Sequence, residues 1–309
     1  MAVITVVMIR GWYQHAGHLP HYYLRKSAVR VVVTILLVRY SEIGLKSTPV
    51  RKKFENLLRE NMLSMLMNDG VEALVNKNGA RYYVESSDTD AAIASLRKVF
   101  GIGSISVAEE CASTHMEDIC AKAAEYSLPR LKEGQSFAVR ARREGSQGYT
   151  SMDVGREAGS AIFLANESKG VKVDLSEPDV VFYVEVRDNR AFVFGDYIKC
   201  HAGLPVGSQG KIVAKVEDDR GLVSAWLMMK RGCRIIAYGN GDLDSLAKYD
   251  THFKVGEGHP QSMGLILGLS IDDIKDFDAS AYDCPVFFPT IGMSDEEVSE
   301  IASVIRAGL

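Results

Sequence analysis

Two groups of basic side chains and one strand–loop–helix unit are the places in this sequence where chemistry could be done. Arg39, Lys46, Arg51, Lys52 and Lys53 gather around a single acid, Glu42. Three of them fall at the start of a predicted helix, whose free N–H groups already favour a phosphate. Arg140, Arg142 and Arg143 close a predicted strand, with Gly145, Gly148 and Tyr149 beyond it. Alternation along the strand puts Arg140 and Arg142 on one face. Basic side chains beside a glycine-containing loop suit a nucleic-acid backbone. A solvated helix start and strand end is the plainer reading, and residue types alone leave both open.

The third stretch, Gly203–Gly232, reads as a turn, a short strand from Lys211, a loop at Glu217–Gly221 and an amphipathic helix closing at Lys230-Arg231-Gly232. Such units open many nucleotide sites, because the helix N-terminus offers free N–H groups. A phosphate loop needs glycines for close backbone approach, yet Glu217, Asp218, Asp219 and Arg220 stand there instead. Adjacent carboxylates repel a triphosphate, although acids can hold magnesium. A retained fold with a dead site is the expectation.

His201, His252 and His259 are isolated and have no ligand spacing. Asp272, Asp273, Asp276 and Asp278 lack the central glycine and final Glu of a calcium loop, and read as a polar helix face. Cys111, Cys120, Cys200, Cys233 and Cys284 are scattered without a CxxC pair, which argues for free thiols in a reducing cytoplasm. No metal site and no catalytic residue are expected.

The elements that position these residues follow from periodicity. Val31–Val38 is a β-branched run, followed by a helix capped at Thr48 with Pro49 at its first position and closed by Asp69-Gly70. Val71–Val75 and Arg81–Glu85 flank an Asn78-Gly79 turn, and a helix over Thr89–Phe100 leads to a strand at Ser104–Val107. The order βαββαβ is ferredoxin-like. A second unit begins with a helix whose capping box is Thr114…Glu117. Then come a strand at Ser136–Arg142, a helix at Ser151–Leu164, and a hairpin of Val180–Val186 and Ala191–Phe194 over Asp188-Asn189. The tail ends in a strand at Pro285–Phe288 and a helix capped by Ser294…Glu297.

With 309 residues and a net charge of −4, the chain has material for two or three domains. From Gly241 onward 13 Asp/Glu face 4 Lys/Arg, a balance of −9, so the preceding residues carry +5. A polyanion would meet the front. The apolar run Ala2–Ile9 is too short to span a bilayer and does not read as a signal peptide. Residues 1–30 show no periodicity and read as a disordered extension or a start assigned too far upstream.

The run Arg39-Tyr-Ser-Glu-Ile-Gly-Leu-Lys46 with Arg51-Lys-Lys-Phe54 resembles the opening of the ThiI-type tRNA 4-thiouridine synthetases. Phe100-Gly-Ile-Gly-Ser104 resembles the end of their ferredoxin-like domain. Phe137–Arg143 and Val154-Gly155-Arg156 resemble their THUMP domain. Gly203–Gly232 and Pro285–Met293 are similar to the entry and closing strand of their adenylating PP-loop domain. The resemblance implies an α/β architecture: α+β ferredoxin-like (31–104) and THUMP (105–200) domains, then a small, truncated α/β PP-loop-like domain (201–309) with a mainly parallel sheet.

It also implies a cytoplasmic tRNA-binding protein linked to thiolation, with both basic clusters as tRNA contacts and THUMP on the 3′-CCA end. The family's SGGxDS motif aligns onto Val216–Gly221, where none of its defining residues survives, so no cofactor is expected. If the enzyme alternative held, ATP and Mg²⁺ would bind, with Gly256 and Gln261 as nucleotide contacts, and a sulfur-donor or modification enzyme would supply missing groups. A homodimer is compatible with the family, and a protein-interaction scaffold without RNA is the third reading.

Overall fold

The computed structural model describes residues Thr34–Gly308; the expectations for residues 1–30 and for Val31–Val33 lie outside them. The first domain runs β1 (Thr34–Tyr40), α1 (Thr48–Asn68), β2 (Ala73–Asn78), β3 (Arg81–Ser86), α2 (Thr89–Arg97) and β4 (Ile102–Glu110), the βαββαβ order read from the sequence. Helix α1 begins at Thr48, so Ser47 takes the N-cap position. It buries Phe54, Leu58, Met62, Met65 and Leu66 against Leu36, Val38, Tyr82 and Val84 of the sheet. Asp69 closes it, and Gly70 at φ +70° supplies the left-handed turn that other residues adopt at a cost.

The second domain comprises α3 (Met116–Ser127), β5 (Ser136–Glu144), α4 (Ser151–Ala165), β6 (Lys172–Val173), β7 (Val180–Arg187), β8 (Arg190–Phe194) and β9 (Ile198–Lys199). The expected capping box at Thr114 is absent: His115 is the N-cap of α3, and the Thr114 carbonyl accepts from the Tyr149 hydroxyl instead. The box sits on α4, where Thr150 and Asp153 cap each other's backbone. Phe137, Val154, Ala158, Ile162, Phe182, Val184 and Val186 fill the core between sheet and helices.

Strands of both domains form one nine-stranded sheet, ordered β2-β3-β1-β4-β8-β7-β5-β6, with β9 also on β4. The seam is the antiparallel pairing of Ala108, Glu109 and Glu110 with Phe194, Val193 and Phe192. Strand β4 therefore runs through the boundary placed at residue 104, serving β1 on one edge and β8 on the other. On the face away from both helical layers, Ile35, Leu37 and Tyr83 pack with Phe192 and Phe194.

The third domain contains β10 (Lys211–Lys215), α5 (Asp219–Lys230), β11 (Arg234–Tyr238), α6 (Leu243–Ala247), β12 (Lys254–Val255), β13 (Ser262–Ile266), β14 (Val286–Phe287) and α7 (Asp295–Ala307). Its sheet is ordered β12-β11-β10-β13-β14 and every pairing is parallel. Such strands are buried on both faces, which explains the unbroken apolar run Ile212-Val213-Ala214. Phe100, from the end of the first domain, is buried in this domain's core against Trp226 and Tyr249.

Candidate nucleic-acid interface

The groove between β5 and α4 follows from the alternation of β5. Phe137, Val139 and Ala141 turn toward the helical layer, while Arg140 and Arg142 are exposed on the other side. Strand β6 pairs with β5 only as far as Phe137. Beyond that point the outer edge of β5 faces an open groove of about 1320 Å³. Helix α4 presents Gly155 and Gly159 to it, one turn apart; a side chain on either would meet Val139 or Ala141 at van der Waals distance, at or just under 4.0 Å.

Arg140, Arg142, Arg156, Met152, Tyr183 and Tyr197 line the groove. Met152, Leu164 and Leu175 there are 83%, 67% and 64% exposed. Tyr183 stacks on Phe194 at 5.3 Å and meets Tyr197 edge-on at 4.8 Å, so both rings are held in place. Arg140 Nη2 donates to the Leu175 carbonyl at 2.6 Å, and Arg156 pairs with Asp153 at 3.2 Å. Guanidinium groups beside exposed apolar and aromatic faces match a single strand, whose phosphates need cations and whose bases need surfaces to lie on.

Arg143 does not join its neighbours. Its Nη1 donates to the carbonyls of Gly145 (2.7 Å) and Gln147 (3.3 Å), so it fastens the β5–α4 loop. The cause is parity, since an odd position on β5 points opposite to Arg140 and Arg142.

In the first domain, Lys46, Lys52 and Lys53 are exposed around the start of α1, and Arg51 is half-buried. No acid stands in the first turn of α1 and Ser47 makes no side-chain cap, so the positive end of the helix is uncompensated. Arg39 leaves the cluster. It is 7% exposed, donates to Ser106 Oγ at 2.9 Å and to Glu185 Oε2 at 3.3 Å, and lies over the rings of Phe194 and Tyr197. Burial pulls its pKa down while Glu185 holds it up. It is an internal ion pair, because it shares its strand face with Ile35 and Leu37.

The strand–loop–helix of the third domain is tighter than expected. Asp218 is the N-cap and accepts from Gly221 N at 2.8 Å, so Asp219, Arg220 and Gly221 belong to the helix. Each charged residue has an internal partner. Glu217 accepts from Asn240 N (3.3 Å), and Asp219 pairs with Arg306. Arg220, 8% exposed, donates to the Thr290 and Met293 carbonyls (2.9 and 3.1 Å) and to Asp295 (2.6 Å).

The backbone at Gly268 lies directly on this first turn, since a Cβ there would fall 2.3 Å from Gly221 N. Beside it is a cavity of about 450 Å³ lined by Lys215 and the acids Glu217, Asp218, Asp273, Asp276 and Asp278. It sits at the carboxyl ends of β10 and β13, where open parallel sheets hold ligands. Asp273–Asp276 is a 3₁₀ turn on this cavity, not the face of an α-helix. Gly256 follows the carboxyl end of β12, whereas Gln261 precedes the amino end of β13, so in this parallel sheet they stand at opposite ends of the strands. Among the described residues no group of three or more His, Cys, Asp or Glu could hold a metal.

His201 packs on Phe100, Trp226 and Tyr249, His252 lies 3.8 Å from Asp250, and His259 Nε2 is 3.1 Å from Lys211 Nζ. Burial pushes the thiols of Cys111 and Cys200 up to about 12 and about 11, so neither is a thiolate at neutral pH. No described helix is long and apolar enough to cross a membrane.

Residue-by-residue reading missed the groove's tyrosines and Met152. The signal was available in Gly155 and Gly159, a helical pair four apart that lets the strand and helix backbones come close.

The ThiI ferredoxin-like domain matches residues 35–106 and the THUMP domain matches residues 113–196. A probable tRNA sulfurtransferase of Methanosarcina mazei is 38% identical over 208 residues, which are 65% of this chain and 50% of that protein. Another, of Aeropyrum pernix, is 40% identical over 203 residues, 64% of this chain and 50% of that one. The chain spans about half the length of the curated relatives it matches. A crystal structure of a Pyrococcus horikoshii protein superposes with a TM-score of 0.74 at 26% identity, covering 89% of this chain and 100% of that one. A 4-thiouridine synthetase solved with RNA and bound ATP superposes at 0.70 with 22% identity, covering 88% and 85%, and shows likeness of fold.

Proposed function

Because the chain belongs to the ThiI-type family, with its ferredoxin-like and THUMP domains in place, we propose that it binds tRNA through those two domains and serves tRNA thiolation. The observation that carries this is the groove between β5 and α4, open and lined by guanidinium groups beside held aromatic rings. The unpaired 3′ end of tRNA fits such a groove, and the paired stem would reach the exposed Lys46, Lys52 and Lys53 at the positive end of α1. Arg140 and Arg142 are the groove contacts; Arg39 and Arg143 hold structure.

The third domain, in this reading, does not adenylate on its own. Five carboxylates against one ammonium in its cavity would repel a triphosphate, and Gly268 occupies the approach to the first turn of α5. It then serves as a docking or bracing element, and any sulfur transfer needs a partner enzyme.

Fluorescence anisotropy with intact tRNA and with tRNA trimmed of its 3′-CCA, at two salt concentrations, tests the binding half. Tighter and salt-sensitive binding of the intact molecule supports it, since phosphate contacts release counterions. Equal or absent binding removes the 3′-end assignment. Pyrophosphate release from ATP in the presence of tRNA would overturn the reading of the third domain.

A further inference from the structure

Glu185 sits where the first two domains meet. Its carboxylate, 2% exposed, accepts from Arg39 Nη2 (3.3 Å), Arg81 Nε (2.9 Å) and Arg187 Nε (2.9 Å). Arg39 and Arg81 come from β1 and β3 of the first domain, while Glu185 and Arg187 come from β7 of the second. Around them lies the small core of Ile35, Leu37, Tyr83, Phe192 and Phe194, which belongs to neither domain alone. A fourth arginine, Arg142, is the register partner of Glu185 on β5.

One buried carboxylate therefore joins guanidinium groups from both sides of the seam; of the three, Arg187 also pairs with Glu144 on β5. Without it, buried cations would face each other in a poorly solvated space, and attraction across the boundary would become repulsion. The same carboxylate binds Arg39 at the root of one basic cluster and stands in register with Arg142 of the other. Arg39 leads through Tyr40 and Ser41 into the turn that ends before Lys46, and Arg142 lies beside Glu185 in the sheet.

We propose that Glu185 is a positioning residue that locks the first two domains into one body, so that Lys46, Lys52 and Lys53 and the pair Arg140 and Arg142 meet a single RNA in fixed register. The RNA half of this inference rests on the tRNA-binding reading above; the lock does not. Two preset clusters engage a spanning ligand without a fresh ordering cost for the second contact.

The test uses the full chain with Glu185→Gln, which keeps the side-chain shape, and Arg81→Gln, which cuts only one bridge. Hydrogen exchange along the pairing of Ala108–Glu110 with Phe192–Phe194 reads the lock without RNA. Anisotropy with a tRNA transcript, and with a short single-stranded oligonucleotide of its 3′ sequence, reads the register.

Glu185→Gln is expected to speed exchange at the seam and to weaken tRNA about tenfold while leaving the oligonucleotide unchanged. The salt slope should fall by more than the ~0.7–0.9 that one lost phosphate contact gives. Arg81→Gln should show the same pattern at smaller size. Unchanged exchange and unchanged tRNA affinity overturn the proposal, as does equal weakening of both RNAs, which would mean general damage to the fold. If the native protein binds neither RNA, the tRNA reading falls, and the exchange result alone upholds or sinks the lock.

Discussion

Arg140, Arg142 and Arg143 are neighbours in sequence but divide their work by parity, and the division can be measured. Arg142→Gln removes an exposed guanidinium from the groove, so tRNA binding should weaken, and its salt slope should drop by about 0.7–0.9, with the melting temperature unchanged. Arg143→Ala should instead loosen the Gly145–Gln147 loop. It should lower stability by about 1–3 kcal/mol, as for a lost charge-assisted hydrogen bond, in a denaturant titration. Thiol chemistry offers a separate check. Burial raises Cys111 to about 12, so alkylation at pH 8 followed by mass spectrometry should label exposed Cys284 and spare Cys111. Strand alternation made Arg140 and Arg142 legible as a pair. Arg39 was misread because its strand is buried on both faces, and a continuous apolar run does not say that the arginine within it has a carboxylate partner 146 residues away.

Helix boundaries carry the next set of consequences. The capping box on α4 holds the groove's helix against β5, and the Thr150 backbone N–H and hydroxyl pull the Asp153 pKa below the ordinary carboxylate range. The folded pKa is depressed, so this stabilisation is present above the unfolded value of about 3.9 and is lost as pH falls through the folded one. Below about pH 4, amide exchange at the start of α4 should therefore quicken. Thr150→Ala should cost about 1 kcal/mol at neutral pH and shrink that pH dependence without removing it, because the backbone N–H of residue 150 still reaches Asp153. Ser294…Glu297 was readable as a box because it precedes a clean amphipathic repeat. Thr114…Glu117 has the same spacing and fails, because Ser113 serves His115 N and Tyr149 claims the Thr114 carbonyl. The pattern is local, and the competing partner on another element is not.

Across the molecule, the third domain is braced by charged residues at the start of α5 and the end of α7. Arg220 ties α5 to the segment before α7, and Arg306 ties the end of α7 back to Asp219 and Asp242. Phe100 fastens this domain to the first, and Phe100→Ala should lower stability by about 3–5 kcal/mol while leaving the groove between β5 and α4 intact. The βαββαβ order of the first domain was readable from periodicity, and the parallel sheet of the third from the family resemblance. The shared sheet was not, because nothing in the residues of β4 announces a partner on its second edge. That second edge also has a history in time. As the chain leaves the ribosome, β4 is complete at Glu110, but its mate β8 is not made until Phe194. At roughly 5–20 residues per second, the edge waits for several seconds, and an open strand edge invites pairing with other chains. Ribosomes stalled after residue 150 should therefore carry a nascent chain that captures chaperone, whereas those stalled past residue 240 should release it.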